Sequence, residues 1–137
     1  MRLLHLLEDS LKEDIYKRAD KEQVKNCLTS LGVKPSDTFT AFYNIYEGPF
    51  WEEHVPFELL DITDIESYTL ISRNEYNFHN QYLVLCEMSG NATLVLDTLT
   101  DYVYTVNFEG GDERLQKGEL TPSWLTFHEF LRAYFNV

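Results

Sequence analysis

Cysteine is nearly absent from this chain of 137 residues: Cys27 and Cys86 are the only two. Two cysteines do not make a disulfide framework at this length, so two buried free thiols in a reducing cytosol are expected. Long apolar runs are missing as well. None approaches the roughly 20 residues a membrane helix needs, so no membrane span is predicted. The motifs that cradle phosphates, G-x-x-x-x-G-K-[ST] and G-x-G-x-x-G, do not occur. Neither do C-x-x-C, H-E-x-x-H or a calcium-binding EF-hand loop. No cofactor or metal is therefore predicted.

Bases are the scarcest residues where they would matter most. The chain holds 11 Lys and Arg against 23 Asp and Glu, a net charge of −12. Residues 1–34 are nearly neutral, with seven bases and six acids. Residues 35–113 hold fifteen acids and a single base, Arg73. From Glu47 to Glu66 there are seven acids and no Lys or Arg. Such a surface is repelled by phosphate backbones and anionic lipid, which argues against nucleic acid and membrane as partners. It favours a basic protein, drawn in by electrostatic steering.

What is present is enough for one folded domain, assigned to residues 1–137. Apolar residues make up 44% and aromatics 15%, which excludes a disordered chain. The N-terminus, MRLLHLLEDSLKED, reads as an amphipathic helix and not as a secretion signal. Leu3, Leu4, Leu7, Leu11 and Ile15 form its apolar stripe. Asp20 is placed to cap a second helix bearing Val24, Cys27, Leu28 and Leu31, ended by Gly32. Pro35-Ser36-Asp37 opens a third, with Phe39, Phe42, Tyr43 and Tyr46 on one face and Gly48-Pro49 as its stop.

Beyond Pro49 the pattern shortens. Phe57–Ile62 reads as a strand, and 63–80 fits either a helix or a strand and turn. Gln81–Met88, Ala92–Asp97 and Tyr102–Phe108 read as strands joined by turns at Ser89-Gly90-Asn91 and Thr98–Asp101. The sequon Asn91-Ala92-Thr93 is read as part of a turn. Gly110–Gly118 is assigned to a polar loop, and Ser123 to the cap of a final helix. The predicted class is α+β: an antiparallel or mixed sheet of about 4–6 strands with N-terminal helices and a C-terminal helix packed on one face.

Catalytic chemistry finds little support. His5, His54, His79 and His128 are scattered, with no second ligand spaced to join any of them. Cys86 lies mid-strand among apolar neighbours, a poor setting for a nucleophile. Asp97 and Asp101 are explained by turn formation. Glu52-Glu53 could in principle do acid–base work, but nothing fixes their separation. The chain is therefore read as a non-enzyme. The remaining feature is an acidic belt containing aromatics. Phe50 and Trp51 are the predicted partner-binding anchors, with Glu52, Glu53, Glu58, Asp61 and Asp64 as the surrounding acids.

The order of these signals resembles the SUKH superfamily, the Smi/Knr-like proteins. Four stretches carry the resemblance: LGVKPSDTFTAFYNIYEGPFW (Leu31–Trp51), FELLDI (Phe57–Ile62), YLVLCEMSGNATLVLDTLTDYVYTV (Tyr82–Val106) and SWLTFHEFL (Ser123–Leu131). Val33-Lys34-Pro35 departs from the Leu-Pro usual before the third helix. The resemblance implies a helix–sheet fold with a binding surface and no catalytic centre. It also implies a role like that of bacterial immunity factors, which bind and block a cognate toxin, often a nuclease. The acidic belt agrees, since a face that attracts polyanions is itself basic. A cytoplasmic monomer with a basic toxin domain as partner is the resulting expectation. Two alternatives stay open: a regulatory scaffold binding several proteins, and a small-ligand or sugar-binding protein using aromatics such as Tyr68, Tyr76 and Tyr102.

Overall fold

The computed structural model describes residues 2–88 and 91–137. Helix α1 (Arg2–Leu7) buries Leu3 and Leu7, and the turn after it buries Leu11. The predicted stripe ends there. Ile15 is 70% exposed in a 3-10 turn over Asp14–Tyr16. The reason is a change of pairing: Lys17 forms a bridge with Tyr46, and Arg18 donates its amide to the Ile45 carbonyl at 3.1 Å. The chain must be extended at that point.

Helix α2 (Gln23–Leu31) buries Val24, Cys27, Leu28 and Leu31, as the spacing predicts. Asp20 does not cap it: Glu22 is the residue at the cap, without a side-chain capping bond, and Asp20 accepts from the Glu22 amide at 3.0 Å ahead of the helix. Gly32 ends α2 with φ of +69°, its amide donating to Leu28 and Thr29, a conformation glycine adopts without Cβ strain. In α3 (Asp37–Ile45) the Ser36 hydroxyl accepts from the Phe39 amide, and Phe39, Phe42 and Tyr43 are buried.

Residues 63–80 resolve as a helix, α4 (Ile62–Glu75), followed by a turn. Ile62 and Ile65 are buried in its first half, but its second half inverts the pattern. Thr69 and Ser72 are buried while Leu70 and Ile71 are exposed. The small inward residues let α4 lie close against α2 and the first strand, where the Thr69 hydroxyl accepts from the Val84 amide at 3.0 Å. That bond occupies a donor at the sheet edge.

The sheet has three antiparallel strands among the described residues, in the order β1 (Tyr82–Val84), β2 (Ala92–Asp97) and β3 (Val103–Asn107). Leu83 faces Leu96, and Leu94 faces Thr105. This corrects the expected four to six. The other segments contribute single bridges: Phe50 to Leu59 and Leu59 to Cys86 on one side, Val103 to Trp124 on the other. Pro49 precedes Phe50, α4 starts three residues after Leu59, and Pro122 lies just before Trp124, so no ladder can extend. The turn placed at Ser89-Gly90-Asn91 falls at 89 and 90 outside the described residues. The Thr98–Asp101 turn is present, with Asp97 accepting from the Leu99 amide at 2.9 Å.

Both faces of the sheet are covered, another correction. Leu83, Leu94, Leu96 and Val103 join the large core with α2, α3 and α6 (Phe127–Phe135). Tyr82, Val95 and Val106 form a second cluster with Phe78 and Leu115. Leu115 belongs to α5 (Gly111–Gln116), a helix inside the segment predicted to be a polar loop. The final helix is capped by Thr126, not Ser123. Its hydroxyl accepts from the Glu129 amide, and the Glu129 carboxylate reaches back to accept from the amide of Leu125, one residue ahead of the cap. Ser123 lies in a bend ahead of it, its amide donating to the Val103 carbonyl.

Both thiols are buried. Burial, then the charges of Glu66 and Asp61, pushes Cys27 up to about 11. Burial pushes Cys86 up to about 12. The folded chain therefore holds these protons more tightly than the unfolded chain. The resulting stability is intact below the ordinary thiol range and lost as pH climbs from there through the raised values of the folded chain. At pH 8 both native thiols are expected to react with Ellman's reagent more slowly than in urea, Cys27 by roughly a hundredfold and Cys86 by more. Fast labelling of the folded chain would contradict this.

Candidate functional site

The surface that sequence reasoning singled out is a loop hung from the sheet edge. Phe50 and Leu59 exchange backbone hydrogen bonds of 2.8 and 2.9 Å, closing residues 51–58 into a loop. Leu59 bridges Cys86, and Leu60 donates to the Leu85 carbonyl at 2.9 Å. The Tyr134 hydroxyl of α6 enters the loop from behind. It accepts from the Leu59 amide at 3.1 Å and faces the Phe50 and Phe57 carbonyls at 2.9 and 2.7 Å. Burial is the main cause that raises its ionisation far above the usual phenol range; the nearby charges of Glu52 and Glu58 add to it. Tyr134 thus remains a neutral hydrogen-bonding pin. His54 holds the outer side, its Nε2 lying 3.4 Å from the Ala133 carbonyl.

Extended backbone at the bridge sends successive side chains to opposite sides. Trp51 is 62% exposed. Phe50 is completely buried, its ring 5.1 Å from that of Phe42 and 6.0 Å from that of Phe135. Phe50 is therefore no surface anchor, which corrects that part of the prediction. Asp61 is corrected too. It is 6% exposed and paired with Arg18, whose side chain is fully buried. Arg18 also donates to the Tyr43 and Tyr46 carbonyls and to Gln23. A buried guanidinium requires such a partner, and that demand draws Asp61 inward.

The other predicted acids stay outside. Glu53, Glu58 and Asp64 are exposed, and Glu52 is half-buried. Trp51 and Glu58 meet around a shallow cavity of about 280 Å³, with Pro56, Phe57, Cys86 and Glu87 completing its lining. Glu87 was missed, although the alternation of YLVLCEM, with Cys86 inward, turns Glu87 outward. Tyr68 lies beside it. Burial and then the Glu87 carboxylate raise the Tyr68 hydroxyl above its ordinary value, and Asp64 adds to the effect. Asp64 is thereby linked to the same side. Glu47 and Glu66 point elsewhere, toward Arg18 and Cys27.

A second cavity of about 250 Å³ shares Pro56 and Phe57 with the first. Its walls are mainly apolar, from Leu94 of β2, from Trp124 and from Phe130 of α6. Pro56–Phe57 is thus a rib between an acid-rimmed hollow and an apolar one. Among the described residues, no group of three or more His, Cys, Asp or Glu is arranged to hold a metal ion.

Fold and site together define an α+β protein whose distinctive feature is a surface: an exposed tryptophan among carboxylates, braced from behind by buried tyrosine and aspartate. The model of the SMI1 / KNR4 family (SUKH-1) matches residues 18–133, and the chain belongs to that family. This family includes toxin-immunity proteins, and its members are generally non-catalytic. No curated protein matches the chain. No helix is long and apolar enough to cross a membrane among the described residues.

Proposed function

We propose that this chain is a non-catalytic immunity protein that binds and occludes a basic toxin domain through the acidic face around Trp51. The observation that carries the reading is an aromatic side chain, 62% exposed, in a segment with seven acids and no base. Large exposed aromatics anchor interfaces, and acids around them steer a cationic partner. A toxin whose substrate is a polyanion presents a basic active face. Covering that face blocks the substrate stoichiometrically, without any chemistry by the blocker. Trp51, Glu52, Glu53, Glu58 and Asp64 form the contact in this reading, and Phe50 and Asp61 support it from inside.

The test starts with the partner retained from native lysate at low salt and released at high salt. Against that protein, the triple variant Glu52→Lys, Glu53→Lys, Glu58→Lys is expected to associate about tenfold or more slowly at low salt. Its dependence on salt should flatten, because the screened attraction is gone. Unchanged association and an unchanged salt slope would defeat the proposal.

A further inference from the structure

We propose that the apolar cavity behind the Pro56–Phe57 rib receives one leucine or aromatic side chain from the same basic partner. This rests on the acidic face being a protein-binding surface and says what that partner must carry. The cavity measures about 250 Å³ and lies between the 55–57 loop, Leu94, Trp124 and α6. An apolar cavity of about 150 Å³ already accepts a benzene ring, and water gains little in a space with few polar partners. The volume therefore suits one large side chain and excludes a helix or a folded segment.

Charge identifies the occupant. Glu58 and Glu87 line the neighbouring hollow across the rib. The fields of Glu52 and Glu58 reach the Tyr134 hydroxyl, and Tyr134 lines the apolar cavity. Neither lining contains Lys or Arg among the described residues. A segment entering here needs its apolar side chain beside Lys or Arg, so that cation and hydrophobe occupy adjacent hollows. A second copy of this chain fits poorly, because the same acids would then face each other. The arrangement is that of an interface anchor beside a charged rim.

The probe is a displayed library of random 12-residue peptides selected on the full chain at low salt. Enriched peptides should place Leu, Phe or Trp within two residues of Lys or Arg. One of them is then titrated against three variants. Ala133→Trp fills the cavity from an exposed position on α6, and Thr105→Trp fills it from an exposed position on β3. The double variant Glu58→Lys, Glu87→Lys reverses the rim. Each tryptophan variant that melts like the parent should weaken binding tenfold or more with the salt slope unchanged. The lysine variant should weaken it and flatten the slope. If only the lysine variant loses binding, the cavity assignment falls and the acidic-face reading stands. If binding survives all three changes, both fall. A library yielding no binder, or binders without an apolar residue, also overturns the cavity assignment.

Discussion

Replacing Asp61 with alanine is expected to cost about 3–5 kcal/mol of folding stability, the penalty for leaving one member of a buried ion pair alone. Arg18 has no exposed side-chain surface, and Asp61 is its close carboxylate partner. Glu47 stands 3.6 Å away but is itself 40% exposed, so water weakens its attraction. The Tyr43 and Tyr46 carbonyls and Gln23 would still accept from the guanidinium, yet none carries a charge. Loss of a helix cap does not explain the cost. Asp61 precedes α4, but its side chain makes no capping bond there. The carboxylate turns instead to Arg18 and to the Gly48 amide, at 2.9 Å. Urea unfolding measures the loss, which is a large part of the 5–15 kcal/mol usual for a domain. The double variant Arg18→Met, Asp61→Leu should lose less than Asp61→Ala, because it strands no charge. An Asp61→Ala protein as stable as the parent would refute the account.

The pair matters to the surface although it lies beneath it. Gly48, held by Asp61, leads directly into the loop that carries Trp51. A Cβ at Gly48 would approach the Phe50 ring to 2.9 Å, too close without displacing that ring. Buried pair, glycine and ring thus fix where the loop leaves the core.

Local punctuation made much of this fold legible. Gly32, Ser36, the apolar run of ATLVLD and the alternation of YVYTVN depend on near neighbours, and neighbours are visible in a sequence. Helix α4 was ambiguous because its inward stripe changes character: Ile62 and Ile65 pack inward in its first half, but in its second half Thr69 and Ser72 do so while Leu70 and Ile71 face solvent. Helix α5 was missed because it is six residues long and begins at Gly111 in a Gly-Gly pair, where helix propensity is poor. At the site, composition identified the acidic segment but not each residue's direction. Asp61 reads like any other acid of the belt until Arg18, 43 positions earlier, arrives beside it. Glu87 joins the site across the sheet edge, which no count over residues 47–66 could include.

Phe50 and Trp51 are adjacent aromatics, and their alanine variants are expected to separate stability from binding. Phe50→Ala should lose about 3–5 kcal/mol, the usual range for deleting a buried phenylalanine. Its ring contacts those of Tyr16, Phe42, Tyr43 and Phe135, with centroids 5.1 to 6.3 Å away. A cavity there cannot close without moving α3 or α6. Trp51→Ala removes a ring already mostly in water, so stability should change by about 0.5 kcal/mol or less. Partner affinity should instead fall by about 2 kcal/mol, roughly thirtyfold, as for a central interface tryptophan. Urea unfolding reads the first effect, and titration of the partner at constant salt reads the second. If Trp51→Ala destabilised the chain as Phe50→Ala does, the indole would be a lid on the core. If it left both quantities unchanged, the acids around it would be a solvated rim with no anchor, and binding would have to be sought on another face.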